Sequence, residues 1–519
     1  MAFRQRVLQP KTIIALLVGG AFLARLYFIL NHQGMWGVDG GAYLLSRNSV
    51  LGDEPTGTDF PRPPLAPGWL LVPFTYLFGD NYGLRYFALL FSFAVLPPFL
   101  LLSKRLLTPW QQVFAVFLLL VDWNLAEMFT AGVLPMVGFG FLLLGIWALC
   151  LLKDGGDRRA TLALFLCLPG IVYTNQTTVA LAALALPAFV IGLGLNMGFL
   201  KRITLPVVVG IGLALTAWPW YMAVAPGSAQ LRYPGPLAAF YSFQNAGWGL
   251  LLLAVIVGMI LLSLFKVHGT YRGLAFIILA FSIFMPLRSY DETIQNIFYR
   301  ARYLLMLPTT ISVVWIASQW LKAPWPSWWR LAVKTSIIGL IPVFLGGYVF
   351  QLHAETKLGR MVTPETAEAI KWVNSQPERG TIVTNSYSLS LYVAALTKQK
   401  TAWTQIWDPP PAYVEQHRNA SILLGWDAGD PGQAARNLDA TYILVETLWP
   451  AWGKAVGLNT PGLGGTYAIV KKVSPWGDPD LGYIFKLPRN VNPWDITQQA
   501  SWLELVWEKG STKVWRVKL

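Results

Sequence analysis

The chain has 519 residues and a net charge of +14, with 55% of its residues hydrophobic, only 13% charged, and 24 tryptophans. That is too apolar for a soluble enzyme of this size, so most of the chain belongs in lipid. The basic residues sit in short clusters between apolar runs and not along one polar face, which argues against nucleic acid as a partner and makes them topology signals.

The first 30 residues imitate a signal peptide, with Arg4, Arg6 and Lys11 ahead of an apolar stretch, but no small-residue cleavage site follows Leu30. A retained first span with a cytoplasmic N-terminus is the expectation. A bilayer core needs about 20 apolar residues in a helix, because every backbone polar group must there be satisfied within the chain. About eleven segments qualify, near 12–30, 84–103, 110–122, 133–152, 160–173, 177–195, 203–220, 247–265, 273–287, 301–321 and 331–351. Lys104, Arg105, Lys153, Arg158, Arg159, Lys201, Arg202, Lys266, Arg272, Lys322 and Arg330 fall in the connections on the N-terminal side, against Arg232, Arg288, Arg300 and Arg302 in the shorter connections opposite. The bias assigns the first set to the cytoplasm and leaves the C-terminus outside. Cys150 and Cys167 both lie in apolar runs, which leaves no disulfide framework and no cysteine metal site.

Two large pieces then face outward: the loop 31–83 and the tail from about Leu352 to Leu519. The expected domains are therefore a membrane module over 1–351 and a soluble α/β domain over 352–519. In the tail, Thr363-Pro364 reads as an N-cap followed by proline at the first helical position, opening a helix through Trp372. Residues 381–386 and 441–446 read as strands, 389–397 as a helix, and the C-terminal WLELVWEKGSTKVWRVKL as a hairpin around Lys-Gly-Ser. This rhythm is Rossmann-like, but it carries no G-x-G-x-x-G after a strand, so a dinucleotide site is not expected. Asn419-Ala-Ser421 matches a glycosylation acceptor triplet.

Chemistry on the outer face needs an activated substrate carried by the membrane. In the first outer loop Asp39 lies between Val38 and two glycines, ahead of the proline-rich stretch 61–69. Aspartate there suits a helix N-cap, or a base that takes the proton of an attacking hydroxyl, with glycines that let a substrate approach. Asp122 and Glu127 stand at the ends of spans, where ionisable groups usually face a cavity; capping is the plainer role, more so for Asp122. Arg300 and Arg302, beside Tyr299 and Tyr303, violate the positive-inside trend; their forks suit phosphate oxygens, and snorkelling to headgroups explains them equally. Arg232 is a weaker candidate of the same kind. Arg25 and Arg85 lie near span ends, so no charge is expected deep in a span.

Taken in order, VDGGAYLL (38–45), RPPLAPGW (62–69), Glu127, LPGIVYTNQTTVAL (168–181), AWPWY (217–221) and RARYLLMLP (300–308) resemble the GT-C superfamily of polyprenyl-phosphate-sugar-dependent glycosyltransferases. Within it they are most similar to relatives of protein O-mannosyltransferases and the lipid A aminoarabinose transferase. The resemblance implies an α-helical integral membrane protein of GT-C type with an extracytoplasmic tail, placed in the plasma or inner membrane. Its partners would be a polyprenyl-phosphate-linked sugar donor, the lipid bilayer, and a protein, glycan or lipid acceptor. Asp39 takes the role of base, Glu127 assists it or orients the acceptor, and Arg300, Arg302, Arg232 and Tyr303 form the donor phosphate site. Tyr43, Arg62 and Asn175 fall in the loop and turn motifs on the substrate side, and the tail would cover the site and help choose the acceptor. The sequence departs from the family at Gly40, where a second acid is common, which counts against a divalent metal; no other cofactor is implied. It departs again at Asn175, where relatives often carry lysine. A flippase for lipid-linked sugars and a catalytically silent envelope scaffold are the competing classes, and both would tolerate Asp39→Asn.

Overall fold

The computed structural model describes residues 9–31, 40–52, 65–122, 129, 133–156, 158–174, 176–217, 256, 258, 269–287, 292–322, 324, 326–358, 362–384, 387–397, 399–402, 414–424, 429–446, 453–459, 466–473, 479–487, 501–510 and 512–518. These gather into two compact units: one draws on Met1–His32, Arg85–Trp218 and Gly247–Leu358, the other on Gln33–Leu84 and Gly359–Leu519. By its contacts the first loop groups with the tail, whereas a cut between 351 and 352 leaves it with the helices.

The first unit is helical. Its helices are Pro10–Leu30, the end of Leu65–Phe91, Leu96–Leu106, Pro109–Leu120, Val133–Lys153, Arg158–Thr174, Gln176–Leu193, Met197–Leu215, Gly269–Leu287, Glu292–Lys322 and Ser327–Leu358. By length and composition, five described segments can cross a membrane: Pro10–Leu30, Pro67–Leu106, Val133–Lys153, Met197–Leu215 and Tyr303–Lys322. Pro109–Leu120, Thr178–Leu193 and Gly269–Phe281 are shorter apolar helices. Of the expected span 247–265 only Ile256 and Gly258 are described. The expected span 84–103 lies within the candidate segment Pro67–Leu106, but its helix is interrupted: it ends at Phe91, residues 92–95 turn, and helix resumes with Pro97 and Pro98 in its first turn. Two consecutive prolines have no N–H to donate, so they are tolerated at a helix start and not in its interior.

Small residues let these helices meet backbone to backbone. A Cβ on Gly192 would stand 2.5 Å from the Cα of Gly273, at the crossing of Gln176–Leu193 and Gly269–Leu287. Cys150 and Cys167 are free and buried. The basic residues assigned to the cytoplasm collect at one end of the unit. Arg105 pairs with Asp154, Lys153 donates to the carbonyl of Gly194, and Arg202 Nη1 donates to that of Leu152 at 2.9 Å. Tyr271 joins them, its hydroxyl donating to the Leu106 carbonyl at 2.5 Å.

The second unit carries two sheets. Strands β1 (Thr381–Thr384), β2 (Lys400–Thr401) and β3 (Ala440–Glu446) are joined by β7 (Leu503–Lys509) and β8 (Thr512–Val517) in the order β2-β1-β3-β8-β7. β1 pairs in parallel with β2 and β3, and β8 is antiparallel to both neighbours. The strands β4 (Gly453–Asn459), β5 (Thr466–Val473) and β6 (Pro479–Leu487) form a separate antiparallel sheet that the sequence pattern did not announce. Helices Pro364–Ser375, Tyr387–Thr397, Val414–Leu423 and Pro431–Leu438 accompany them. All four residues of β1 are buried, as expected of a parallel strand covered on both faces. Thr363 caps its helix as read from the sequence, its hydroxyl accepting from the Thr366 N–H at 3.1 Å. Asn419, by contrast, is 5% exposed inside the helix Val414–Leu423, so the acceptor triplet is not accessible in the folded chain.

On this sheet Tyr442 faces Arg516 across β3 and β8, and Glu504 faces Arg516 across β7 and β8. Tyr442 donates to Glu378 Oε2 at 2.8 Å, and Arg516 Nη2 lies 3.3 Å from Glu378 Oε1. The tyrosine hydrogen bond, and after it the backbone and arginine, hold the Glu378 carboxyl below its usual range. Burial, then the bond to Glu378, pushes the Tyr442 phenol up. A carboxyl with a depressed folded value contributes stability above its ordinary titration range and loses it as pH falls through the folded value. Thermal unfolding of Glu378→Gln against wild type should therefore show a lower melting temperature near about pH 7 and a gap that closes toward about pH 3. A gap independent of pH would remove the carboxylate's role.

Candidate active site

Of the residues singled out from the sequence, Asp39, Arg62, Glu127, Asn175 and Arg232 lie outside the described residues. Arg300 and Arg302 stand on the helix Glu292–Lys322, with side chains outside what is described. Tyr303, next to them, is 1% exposed, and Tyr43 is also buried. What the structure does describe is the framework on which these positions are mounted.

The residue after Asp39 opens the helix Gly40–Val50. The helix packs against Tyr387–Thr397, and its two leading glycines make the packing feasible. A Cβ on Gly41 would stand 2.7 Å from the backbone nitrogen of Tyr392 and 2.8 Å from the carbonyl carbon of Leu391, while one on Gly40 would run into the Tyr392 ring. The glycines thus admit a neighbouring helix. Further along, Asn48 Nδ2 donates to the Ala395 carbonyl at 2.8 Å, and its Oδ1 accepts from Arg47 Nη2 at 2.7 Å. Arg47 in turn pairs with Asp80. Ser46 accepts from the N–H of Gly68 at 3.0 Å, so the proline-rich end of the loop is tied to the same helix.

In the helical unit a second framework forms around a buried arginine that sequence reasoning had put near a span end. Arg25 is 2% exposed. Its Nε donates to the Tyr348 hydroxyl at 3.0 Å, and Nη1 donates to Ser92 Oγ at 2.7 Å and to the Ser92 carbonyl at 3.3 Å. The guanidinium lies 4.4 Å from the ring centre of Phe93 and 5.5 Å from that of Phe129. Arg85 is buried as well, with Nη1 donating to the Ile29 carbonyl at 3.1 Å. Both arginines are enclosed by the bundle, where nearby hydroxyls and carbonyls accept from them. An arginine in an apolar run, several residues short of its end, was the only sequence signal.

This end of the unit is opposite the basic one. From Ser92 the contacts run on through Ala94, whose carbonyl oxygen would be 2.6 Å from a Cβ on Gly140, to Gly138, where a Cβ would be 2.7 Å from Thr178 Oγ1. Phe129, in the sequence connection 123–132, belongs to this end through its contact with Arg25. Asp122, also buried, closes the helix before that connection. On Glu292–Lys322, Trp315 packs on Tyr271 of the basic end with ring centres 4.4 Å apart. At about 1.5 Å per residue, Arg302 lies about 20 Å further along that helix, toward the Arg25 end. Among the described residues no three His, Cys, Asp or Glu side chains come together as a metal site would require.

The glycine contacts lead to a direct measurement. Gly41→Ala pushes a Cβ onto backbone atoms that cannot swing aside, and should destabilise by about 1–3 kcal/mol. Gly339→Ala, at a helical glycine with nothing within 4 Å, should leave the melting temperature of the detergent-purified chain unchanged or slightly raised. Equal melting temperatures for the two variants would mean that the helices are not clamped at Gly41.

No family model and no curated protein sequence matches the chain, but solved structures do. The oligosaccharyltransferase AglB from Archaeoglobus fulgidus, solved with an inhibitory peptide and a dolichol-phosphate, is 13% identical, with 84% of this chain and 70% of that one covered and a TM-score of 0.51. ArnT from Cupriavidus metallidurans, in the apo state, is 14% identical over 89% of this chain and 96% of that one, with a TM-score of 0.53. The arabinofuranosyltransferase AftD from Mycobacteria is 12% identical, with a TM-score of 0.56; 98% of this chain covers 40% of it. At such identities the likeness is one of fold. The structural neighbours are GT-C glycosyltransferases, the class that the sequence motifs resemble, and theirs is the fold of this chain.

Proposed function

We propose that the chain is an integral-membrane glycosyltransferase that moves a sugar from a polyprenyl-phosphate donor to an acceptor hydroxyl on the extracytoplasmic face. The observation that carries this is the extent of the likeness to ArnT, which includes nearly the whole length of a protein also solved with undecaprenyl phosphate bound. The basic end of the helical unit is taken as cytoplasmic, by the positive-inside bias, with about eleven spans and an outer tail. A membrane module over 1–351 and an outer domain over 352–519 remain the proposed division.

In the proposed step Asp39 accepts the proton of the acceptor hydroxyl as its oxygen attacks the anomeric carbon. The bond from that carbon to the phosphate oxygen breaks on the opposite side, so the configuration inverts and the polyprenyl phosphate departs with the bonding electrons. Negative charge grows on the phosphate, and Arg300 and Arg302, with Arg232 and Tyr303, would stabilise it. Glu127 would orient the acceptor. The clamp of Gly40–Val50 on Tyr387–Thr397 supports this reading, since a base one residue before a pinned helix has a fixed point of attachment. Transport of a lipid-linked sugar is the second reading, favoured by the buried Arg25 and Arg85, because intramembrane charges often line a substrate path.

Purified chain supplied with radiolabelled polyprenyl-phosphate sugars and candidate acceptors separates the two. Asp39→Ala should lower transfer by about 10²–10⁴-fold, and Arg302→Ala by about 10²–10³-fold, with melting temperatures unchanged. Transfer by Asp39→Ala at the wild-type rate would remove the base; movement of donor between leaflets without transfer would favour transport.

A further inference from the structure

The helical segment from Leu65 to Phe78, in the first outer loop, is apolar on both sides. One side is occupied: Leu71 is fully buried, and a Cβ on Gly68 would stand 2.7 Å from the Ser46 carbonyl carbon. The other side presents Trp69, Pro73, Tyr76 and Leu77, at i, i+4, i+7 and i+8, which share one helical face. Trp69 is 64% exposed, Tyr76 88% and Leu77 69%. No charged residue occurs between Leu65 and Gly79, so the stripe has none of the ionic coating of a helix that faces water.

We infer that this face lies in the interfacial layer of the bilayer, as an in-plane anchor of the first loop. Three observations select lipid as the occupant. The stripe lies inside the candidate membrane segment Pro67–Leu106, so it belongs to a stretch apolar enough to enter lipid. Tryptophan and tyrosine are the side chains whose apolar rings and polar tips suit the headgroup level. Up to the break at Gly79 the helix is too short to cross by itself: fourteen residues from Leu65 to Phe78 extend about 21 Å, short of a hydrocarbon core of about 30 Å. Its end is set by Gly79, whose φ of 72° breaks the helix, and by Gly83, where a Cβ would be 2.8 Å from the Cα of Thr75, so the chain folds back on itself. Asp80, the first charge after the stripe, is held by Arg47. The anchor ties the loop that carries Asp39 to a fixed depth. The inference rests on the chain being a membrane protein.

Spin labels on single cysteines test it in the full chain, with Cys150 and Cys167 replaced by alanine, reconstituted in phosphatidylcholine and phosphatidylglycerol vesicles. Labels go on Trp69→Cys and Leu77→Cys, with Leu205→Cys on the candidate span Met197–Leu215 as the lipid control and Gln433→Cys on an exposed tail helix as the water control. The labels at 69 and 77 should collide more often with oxygen than with a water-soluble nickel complex, at a depth of about 5–10 Å below the headgroup boundary, and the label at 433 should show the reverse. A label at 77 that behaves like the one at 433, while 205 reports lipid, overturns the anchor and leaves the membrane reading intact. Labels at 205 and 77 that both report water overturn both. Labels at 69 and 77 shielded from both reagents, with spin–spin broadening between copies, would mean that a second copy covers the face, which also overturns the anchor.

Discussion

A guanidinium cannot be left without partners inside an apolar bundle, and that constraint organises one end of the helical unit. Arg25 has donors on three sides of a plane and sits among side chains that offer little else polar. Its bonds to Ser92 and Tyr348 therefore specify which helices meet it: the turn at 92–95 and the late part of Ser327–Leu358. Phe93 and Phe129 complete the enclosure with ring faces, which attract a cation without needing hydration. Breaking one partner of such a buried charge is far more disruptive than the pair is stabilising, so the network specifies the arrangement more than it strengthens it.

The same unit separates its polar business by end. Arg105, Lys153 and Arg202 meet carbonyls and a carboxylate where Leu96–Leu106, Val133–Lys153 and Met197–Leu215 come together, while Arg25 and Arg85 are enclosed at the opposite end. The first set lies at helix termini, where orphan carbonyls accept and the helix dipole favours cations. The second lies within helices, and is tolerated there because carbonyls and hydroxyls replace water. Cations at a water-facing margin and cations inside a bundle obey different rules, although both read as a basic residue near the edge of an apolar run.

Close approach is the second device, and it works in both units for different reasons. In the helical unit, where lipid provides no hydrophobic drive between helices, Gly192 against Gly273 gains contact by bringing backbones together. In the α/β unit, Gly40 and Gly41 let the helix after Asp39 rest on Leu391 and Tyr392, and the polar chain Asp80–Arg47–Asn48–Ala395 fixes its far end. A motif that looks chemical in one dimension thus has a packing task in three. The two tasks are compatible, since a reacting group must be attached to something that does not move.

The membrane character, the order of helices, and the tail elements at Thr363–Pro364, 381–384, 387–397, 440–446 and the C-terminal hairpin were legible from local patterns: apolar run length, a cap followed by proline, and alternation around a glycine turn. Those signals depend on neighbours a few residues apart, so the sequence alone determines them. The burial of Arg25, the break at 92–95, the sheet β4-β5-β6 and the grouping of the first loop with the tail were not legible, because each depends on partners far away in the chain. Arg25 and Tyr348 are 323 residues apart, and Asn48 and Ala395 are 347 apart. The candidate residues Asp39 and Arg302 could be chosen from type, spacing and the side of the membrane implied by charge. That Asp39 precedes a helix clamped through Gly41 to Tyr392 was decided by tertiary structure alone, because nothing local in VDGGAYLL says which surface its glycines must admit.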